Sequence, residues 1–442
     1  MRRASDALRS DVERYGSNHS TNSKGSRRSK MRHTRVLVIT PQYAPDFGPS
    51  APIYTALCED LQQMGCDVTV VTGFPHYAGS DVWFQHTRRL FEEERLNGVR
   101  VLRTYVYIVP KGALWGRLLY HASFNVFSTL AALRVRKPDI LLADAPTLWS
   151  GLPLLVKAII PRVPFVYIVH DIYPDVLVQL GVLTNPRLIN LIERVECFFY
   201  HRSAQLSVLS VGFKENLIRK GVLEDKIAII PACVDVEFVR PLPQENELRA
   251  RWGLANKFVV LYAGNIGLSQ GLDIMLEAAQ SLIHYPDIVF ALVGEGATKS
   301  ALQAMAEENG LSNVRFFPFQ PREDVPFIYA LADICLVSLK RDIVVESVPS
   351  KTYTIMSSGR PILATVDQNT ETGCLLAQAQ CGLCIEPENA DALAQAIMRL
   401  YKDDSLRNDM GKRGRDFVVA HYSRQVASKQ YHTLIQHFVN KD

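Results

Sequence analysis

The sequence has no apolar stretch fit to cross a bilayer, no framework of paired cysteines and no excess of positive charge over its body. Spanning takes about 20 largely uncharged residues. The two longest apolar runs do not qualify: residues 114–133 are broken by Arg117, His121 and Asn125, and residues 148–161 by Lys157 and two prolines. No transmembrane helix is therefore expected. The eight cysteines stand singly except for Cys381 and Cys384, which suits a reducing compartment rather than a disulfide scaffold. A structural zinc ion needs four ligands. No second closely spaced Cys or His pair accompanies these two, so buried inert thiols are expected and no metal site. Residues 1–35 hold ten Arg or Lys against Asp6, Asp11 and Glu13, while the whole chain carries only +4. The remainder is slightly acidic, which argues against a nucleic-acid partner. Residues 1–30 are rich in Ser, Arg and Asn and lack the apolar core of a secretory signal. They read as a disordered basic tail over 1–31, with Met31 standing as an alternative start just before the first strand.

What is present is a chain of 442 residues, 48% apolar, long enough for two domains with separate cores. Strand-like runs at 36–40, 68–72, 99–109, 140–143, 165–169 and 205–209 alternate with helical stretches such as 53–64. That alternation means parallel βαβ units with both sheet faces covered. They form one Rossmann-like domain over 32–228. A proline-punctuated hinge follows over 229–243, and a second domain over 244–415 repeats the pattern. Its strands are expected at 258–263, 288–293, 314–317, 334–338, 361–365 and 383–385. Its helices are expected at 271–283, 298–309, 322–331 and 349–358. Residues 391–402 and 417–438 look helical, and 416–442 is expected to pack back toward the first domain. The expected fold is α/β, two facing Rossmann-like domains with parallel sheets and a cleft between them, because ligands bind beyond the carboxyl ends of such strands.

One stretch concentrates the chemistry. A loop carrying Glu346 leads to Pro349, Ser350 and Lys351, where proline suits a helix start. Free backbone N–H groups there, with the helix dipole and Lys351, favour a phosphate. Gly359 and Pro361 end that helix before a short strand. A second candidate is the turn after strand 258–263, with Gly264, Asn265, Gly267, Gln270 and Gly271. Glycines let amides approach a diphosphate, although ordinary βα turns use them too. Gly294, Glu295 and Gly296 follow the next strand but lack a full dinucleotide fingerprint, so a nicotinamide cofactor is not indicated. Residues 316–320, including Phe319, either offer backbone groups to a base or simply fill the core.

In the first domain, His170, Asp171 and Tyr173 follow strand 165–169 at the end where ligands go, against the plainer reading of a structural histidine. Gly48, Pro49 and Ser50 occupy the corresponding loop after the first strand. On a helix, Arg117, His121, Asn125 and Ser128 form a narrow polar stripe beside an apolar arc of Leu118, Leu119, Ala122, Val126 and Leu130. That helix is either well buried or part of a basic, apolar surface suited to a membrane face or a lipid-linked acceptor.

Taken in order, these motifs resemble the GT-B glycosyltransferases of family 4, and within them the colanic-acid-type fucosyltransferases of bacterial exopolysaccharide pathways. The resemblance runs over about residues 32–440 and rests on residues 41–52, 72–75, 170–174, 264–271, 294–296, 313–320, 331–333, 349–351 and 358–361. It implies a retaining hexosyl transfer from a nucleotide sugar, GDP-fucose in that subgroup, to a lipid-linked oligosaccharide. No cofactor or metal is implied, and the location is the cytoplasm, peripheral on the inner membrane face. Donor ligands would come from the second domain (Gly264, Asn265, Gly267, Gln270, Glu295, Phe319, Ser350 and Thr354) and acceptor ligands from Gly48, Pro49, Ser50, Asp171 and Tyr173. Glu346, His170 and Lys351 would be the catalytic set.

Two departures stand out. The second carboxylate of the family's Glu pair falls on Thr354, and the usual loop cations fall on Asn265 and Gln270. Lys351, or else Lys340 or Arg341, would have to restore that charge. The lost groups also leave open a sugar-nucleotide epimerase or hydrolase of the same fold, or a non-catalytic nucleotide-sugar-binding scaffold.

Overall fold

The computed structural model describes residues 33–46, 50–75, 89–108, 114–179, 181–341 and 347–440. The tail over 1–31 and the residues Gly48, Pro49 and Glu346 lie outside them. The described chain divides into two compact units, one running to Pro231 and taking up the stretch from Ala427 onward, the other spanning Ala232–Val426.

The first unit is built on β1 (Arg35–Ile39), α1 (Ala51–Gln63), β2 (Asp67–Gly73), β3 (Phe91–Leu96), β4 (Val99–Thr104), α2 (Leu114–Leu133) and β5 (Ile140–Asp144). It continues through α3 (Thr147–Leu154), which a π-helical turn extends over Leu155–Ile159, then β6 (Phe165–Val169), α4 (Asp175–Gln179), α5 (Pro186–Arg202), β7 (Gln205–Val208), α6 (Val211–Arg219) and β8 (Ile227–Ile229). The sheet order is β3-β4-β2-β1-β5-β6-β7-β8. The central strands β1, β5 and β6 are apolar almost throughout and buried on both faces, as parallel strands covered by helices must be.

Right-handed crossovers then decide which face each helix takes. The step from β1 to β2 runs one way along the sheet, placing α1 on one face. The steps from β4 to β5, β5 to β6 and β6 to β7 run the other way, placing α2, α3 and α5 together on the opposite face.

The second unit holds α7 (Glu247–Arg251), β9 (Phe258–Ala263), α8 (Asp273–Ser281), β10 (Ile288–Val293), α9 (Lys299–Glu308), β11 (Val314–Phe317), α10 (Val325–Ala330) and β12 (Ile334–Ser338). After these come α11 (Ser350–Ser357), β13 (Ile362–Thr365), α12 (Glu371–Ala379), β14 (Gly382–Ile385), α13 (Ala390–Lys402) and α14 (Asp404–His421). Its six strands are all parallel, in the order β11-β10-β9-β12-β13-β14. This is the doubly wound order in which the chain reverses direction between β9 and β12, and ligands bind at that switch point. Two apolar cores, one on each face of the sheet, hold the unit together.

Three expectations need correction. Residues 91–96 form an antiparallel hairpin partner for β4. The charged run Phe-Glu-Glu-Glu-Arg-Leu hides this strand because an edge strand needs no apolar faces. Asn97 and Gly98, both at positive φ, form the tight turn that was its legible signal. The first unit ends at Pro231 rather than 228, because Ile227–Ile229 pairs with β7. The return to that unit begins at Ala427 rather than 416, because α14 is held to the second unit by Arg415. Its guanidinium donates to the carbonyls of Val236, Val239 and Ser357. A break at Tyr422 and Ser423 separates α14 from α15 (Arg424–Val439). From Ala427, α15 belongs to the first unit, where Tyr431 shares a 2.8 Å hydrogen bond with Ser207.

Candidate functional site

In the second unit the two glycine turns are bonded to each other. Gly264 and Gly294 both follow their strands at φ +144°. The Gly264 amide donates to the Val293 carbonyl and the Gly294 amide to that of Phe317, extending the sheet ladder by one residue. The Ile266 amide then reaches the Glu295 carbonyl at 2.9 Å, and Thr298 bonds back to Ile266. Side chains have no room here: a Cβ on Gly294 would lie 2.0 Å from the Gly264 carbonyl oxygen.

Lys351 enters this turn from the first turn of α11. Its Nζ donates to the Tyr262 hydroxyl at 2.7 Å and to Gln270 Oε1 at 3.1 Å, and lies 4.1 Å from the centre of the Tyr262 ring. Gly264 backs it, since a Cβ there would stand 3.1 Å from Nζ. The Tyr262 hydroxyl donates in turn to the Asn265 carbonyl at 2.6 Å. The Gln270 carbonyl accepts from Ser338 Oγ at 2.6 Å, and Ser338 accepts from Thr365 at 2.8 Å. This buried hydroxyl chain fixes the turn to β12 and β13.

Lys351 has no acidic partner among the described residues, and burial pushes its amine down to about 8. A cation stripped of water and offered only neutral oxygens binds an anion readily, which restores the charged form. If the anion held here is a nucleoside diphosphate, its affinity should fall as pH rises above about 8, since binding then requires uptake of a proton. Titration calorimetry across that range would show the slope in the native protein and its loss in Lys351→Met. Folding stability has the companion sign. The buried charge disfavours the fold at low pH, so stability rises between about 8 and the ordinary 10.5, where only the unfolded chain still holds that proton.

The other candidate cations are placed differently. Arg341 is taken up by Glu386 at 3.1 Å, Glu388 at 3.6 Å and the Pro387 carbonyl. It borders a cavity of about 540 Å³ whose Glu277, Glu386, Glu388 and Asp391 lining is wrong for a diphosphate. Lys340 lies with its stem against Gly271, at the far end of the turn. Lys299, which the sequence reading passed over, donates to the Gly294 carbonyl and the Glu295 carboxylate, drawing that carboxyl below its usual range.

The remaining donor candidates surround this core. Ser350 opens α11 and is exposed, and the Thr354 hydroxyl turns back to the Ser350 carbonyl at 3.3 Å. Gly267 lies within the turn, beside the Asn265 amide. Phe317 stacks on Trp252 at 4.0 Å, so that ring fills structure, while Phe319 is 75% exposed. Tyr262 was missed as well. Its signal was a hydroxyl at the penultimate residue of the strand before a glycine turn. Cys381 is buried and its thiol pushed up to about 12, while Cys384 donates to the Val366 carbonyl.

In the first unit, the carboxyl ends of the central strands gather Thr40, Thr72, Thr104, Asp144 and His170. His170 is half-buried, edge-on to Tyr54 at 5.9 Å, and burial pushes its imidazole down to about 4. It is neutral at physiological pH, and its Nε2 has no partner among the described residues. Asp144 is 1% exposed, and burial pushes its carboxyl well above the carboxylate range. The hydroxyls of Tyr54 and Thr40 lie close enough to oppose that shift, yet neither reaches full hydrogen-bond geometry. Asp171 is exposed, Tyr173 half-buried, and Ser50 donates to Gln42 at 3.1 Å. The sequence reading had named His170 as a candidate and had not named Asp144, a lone acid ending an apolar strand.

The two Rossmann-like units have the GT-B fold. Anabaena HepE in complex with UDP superposes with a TM-score of 0.67 at 16% identity, covering 91% of this chain and all of that one. Residues 244–417 match the model of Glycosyl transferases group 1 and residues 50–233 that of the Glycosyl transferase 4-like domain. The chain belongs to the glycosyltransferases of group 1, with a 4-like N-terminal domain. WcaI of Escherichia coli K12, assigned as a colanic acid biosynthesis glycosyl transferase, is 29% identical over 86% of this chain and 96% of its own. WbjE of Pseudomonas aeruginosa, assigned as a glycosyltransferase, is 27% identical over 70% and 78%.

Proposed function

We propose that this glycosyltransferase moves a sugar, with retention of configuration, from a nucleotide donor held in the C-terminal unit to a lipid-linked glycan. The process is exopolysaccharide or surface polysaccharide synthesis at the cytoplasmic membrane face. GDP-fucose is the donor proposed, on the resemblance to the colanic-acid subgroup. The observation that carries this reading is the desolvated Lys351 amine, held by Tyr262 and Gln270 beside two interlocked glycine turns. It answers the loss of the usual loop cations, which had been the main argument for a silent scaffold.

In this reading Lys351, with the backbone amides of the first α11 turn, stabilises charge growing on the leaving diphosphate. That phosphate takes the acceptor proton on the same face as the departing bond, so no protein nucleophile is needed. Glu346 holds the donor sugar's hydroxyls. No metal takes part, and neutral His170 binds near the sugar as a hydrogen-bond partner.

The test is a panel of nucleotide sugars incubated with and without undecaprenyl-linked acceptors, following nucleotide release and product. Acceptor-dependent release supports transfer. Release without acceptor would mean hydrolysis, and saturable binding without turnover would leave only the scaffold. Glu346→Ala is expected to lower turnover at least about tenfold, roughly 1.4 kcal/mol of barrier, and unchanged kinetics would remove Glu346 from the site.

A further inference from the structure

Helix α2 is turned opposite to the usual sense. Three residues of its polar stripe face protein: the Asn125 amide donates to the Leu148 carbonyl and accepts from the Leu152 amide at 3.0 Å, His121 lies 5.7 Å from Trp149, and Ser128 is buried. Its water-facing side is apolar instead, with Leu119, Val126, Leu130 and Leu133 all exposed, Leu133 by 56%. These residues, at i, i+7, i+11 and i+14, fall within one narrow arc.

The apolar surface continues across the same helical layer. Helix α3 lies between α2 and α5: besides the Asn125 bonds, the Thr147 amide reaches Glu196 of α5 at 2.8 Å, and Gly151 packs on Phe199. Ile160, just past the extension of α3, is 74% exposed. On α5, Leu188, Leu191, Val195 and Phe198 form a second exposed stripe. Isolated exposed leucines need no explanation, but contiguous ones across three packed helices do.

Charge says what covers this face. Arg187, Arg194 and Arg202 flank the α5 stripe, with Arg202 over the Phe198 ring at 5.6 Å. Arg134, Arg136 and Lys137 follow α2. The three helices contain only two acidic residues. Glu193 is bound by Lys220 at 2.6 Å, and Glu196 is buried against Thr147 and Tyr167. Two copies of such a face would bring arginines against arginines. An anionic lipid surface accepts the apolar side chains between headgroups and pairs the arginines with phosphates.

We infer that the exposed face of α2, α3 and α5 docks this protein on an anionic bilayer, with Leu191, Val195 and Phe198 entering the interface between arginines. This deepens the lipid-linked acceptor reading and rests on it for its purpose, but it is tested without turnover. The full chain should co-sediment with phosphatidylcholine vesicles containing phosphatidylglycerol and far less with phosphatidylcholine alone, and the binding should weaken with salt. Leu191→Ser with Phe198→Ser, and separately Arg187→Glu with Arg194→Glu, should each cut vesicle binding by at least about tenfold, given about 1 kcal/mol for each basic residue at such a surface. Both pairs are exposed, so thermal melting and transfer to a soluble acceptor analogue should not change. Equal binding to both vesicle types, no binding, or variants that bind like the native protein would overturn the inference. A dimer that these substitutions dissociate would overturn it too, marking the face as a protein interface. Loss of transfer to the soluble analogue in the native protein would instead count against the proposed function alone.

Discussion

Lys351→Met should lower kcat about a hundredfold while leaving the fold intact. Methionine keeps the unbranched apolar stem of the side chain and removes the charged amine, and losing one preorganised donor at a site of developing charge costs about 10²–10³ in rate. The alternative is that Lys351 only helps to hold the donor. In that case KM would rise with kcat unchanged, because ground state and transition state would lose the same contact. Stability supplies an independent check. The native amine is desolvated and, among the described residues, meets only Tyr262 and Gln270, so removing its charge should leave thermal stability unchanged or raise it. A variant that unfolds would make Lys351 a structural strut. A folded variant with kcat within about twofold of native would remove it from the chemistry, since a twofold change is under half a kcal/mol.

The second large effect belongs to Gly294→Ala. The new Cβ would collide with the Gly264 carbonyl oxygen at 2.0 Å, in a backbone conformation at φ +144° that only glycine adopts readily. The two turns must separate, breaking the bonds from Gly294 to Phe317 and from Ile266 to Glu295. A loss of about 3 kcal/mol or more in urea unfolding is expected, with loss of measurable glycosyl transfer. Gly310→Ala is the control. It also has positive φ but nothing within 4 Å, so only backbone strain of about 1 kcal/mol should appear. If both substitutions cost the same, the turns are not locked by contact.

These two residues show different kinds of legibility. Gly294 was visible as a glycine following an apolar strand, because strand periodicity and turn composition are local properties of a chain. Lys351 was visible as a cation at a proline-marked helix start. That it, and not Arg341, is the cation placed in the Gly264 turn depends on an 81-residue separation between Lys351 and Gln270 and on acidic partners claiming Arg341. No local pattern carries either fact.

By itself the sequence determined the two βαβ series, the glycine turns after β9 and β10, the start of α11 and the placing of His170 after β6, all consequences of short-range periodicity and backbone stereochemistry. Only the tertiary structure decided which face of α2 meets protein. An amphipathic pattern states that two faces differ, and the stripe that turns inward is the one whose groups find partners. Asn125 finds the carbonyl of Leu148 and the amide of Leu152 on α3, and this leaves the leucines outside. The burial of Asp144 and the desolvation of Lys351 were likewise decided by packing, since the environment that shifts a titratable group comes from residues far away in the chain.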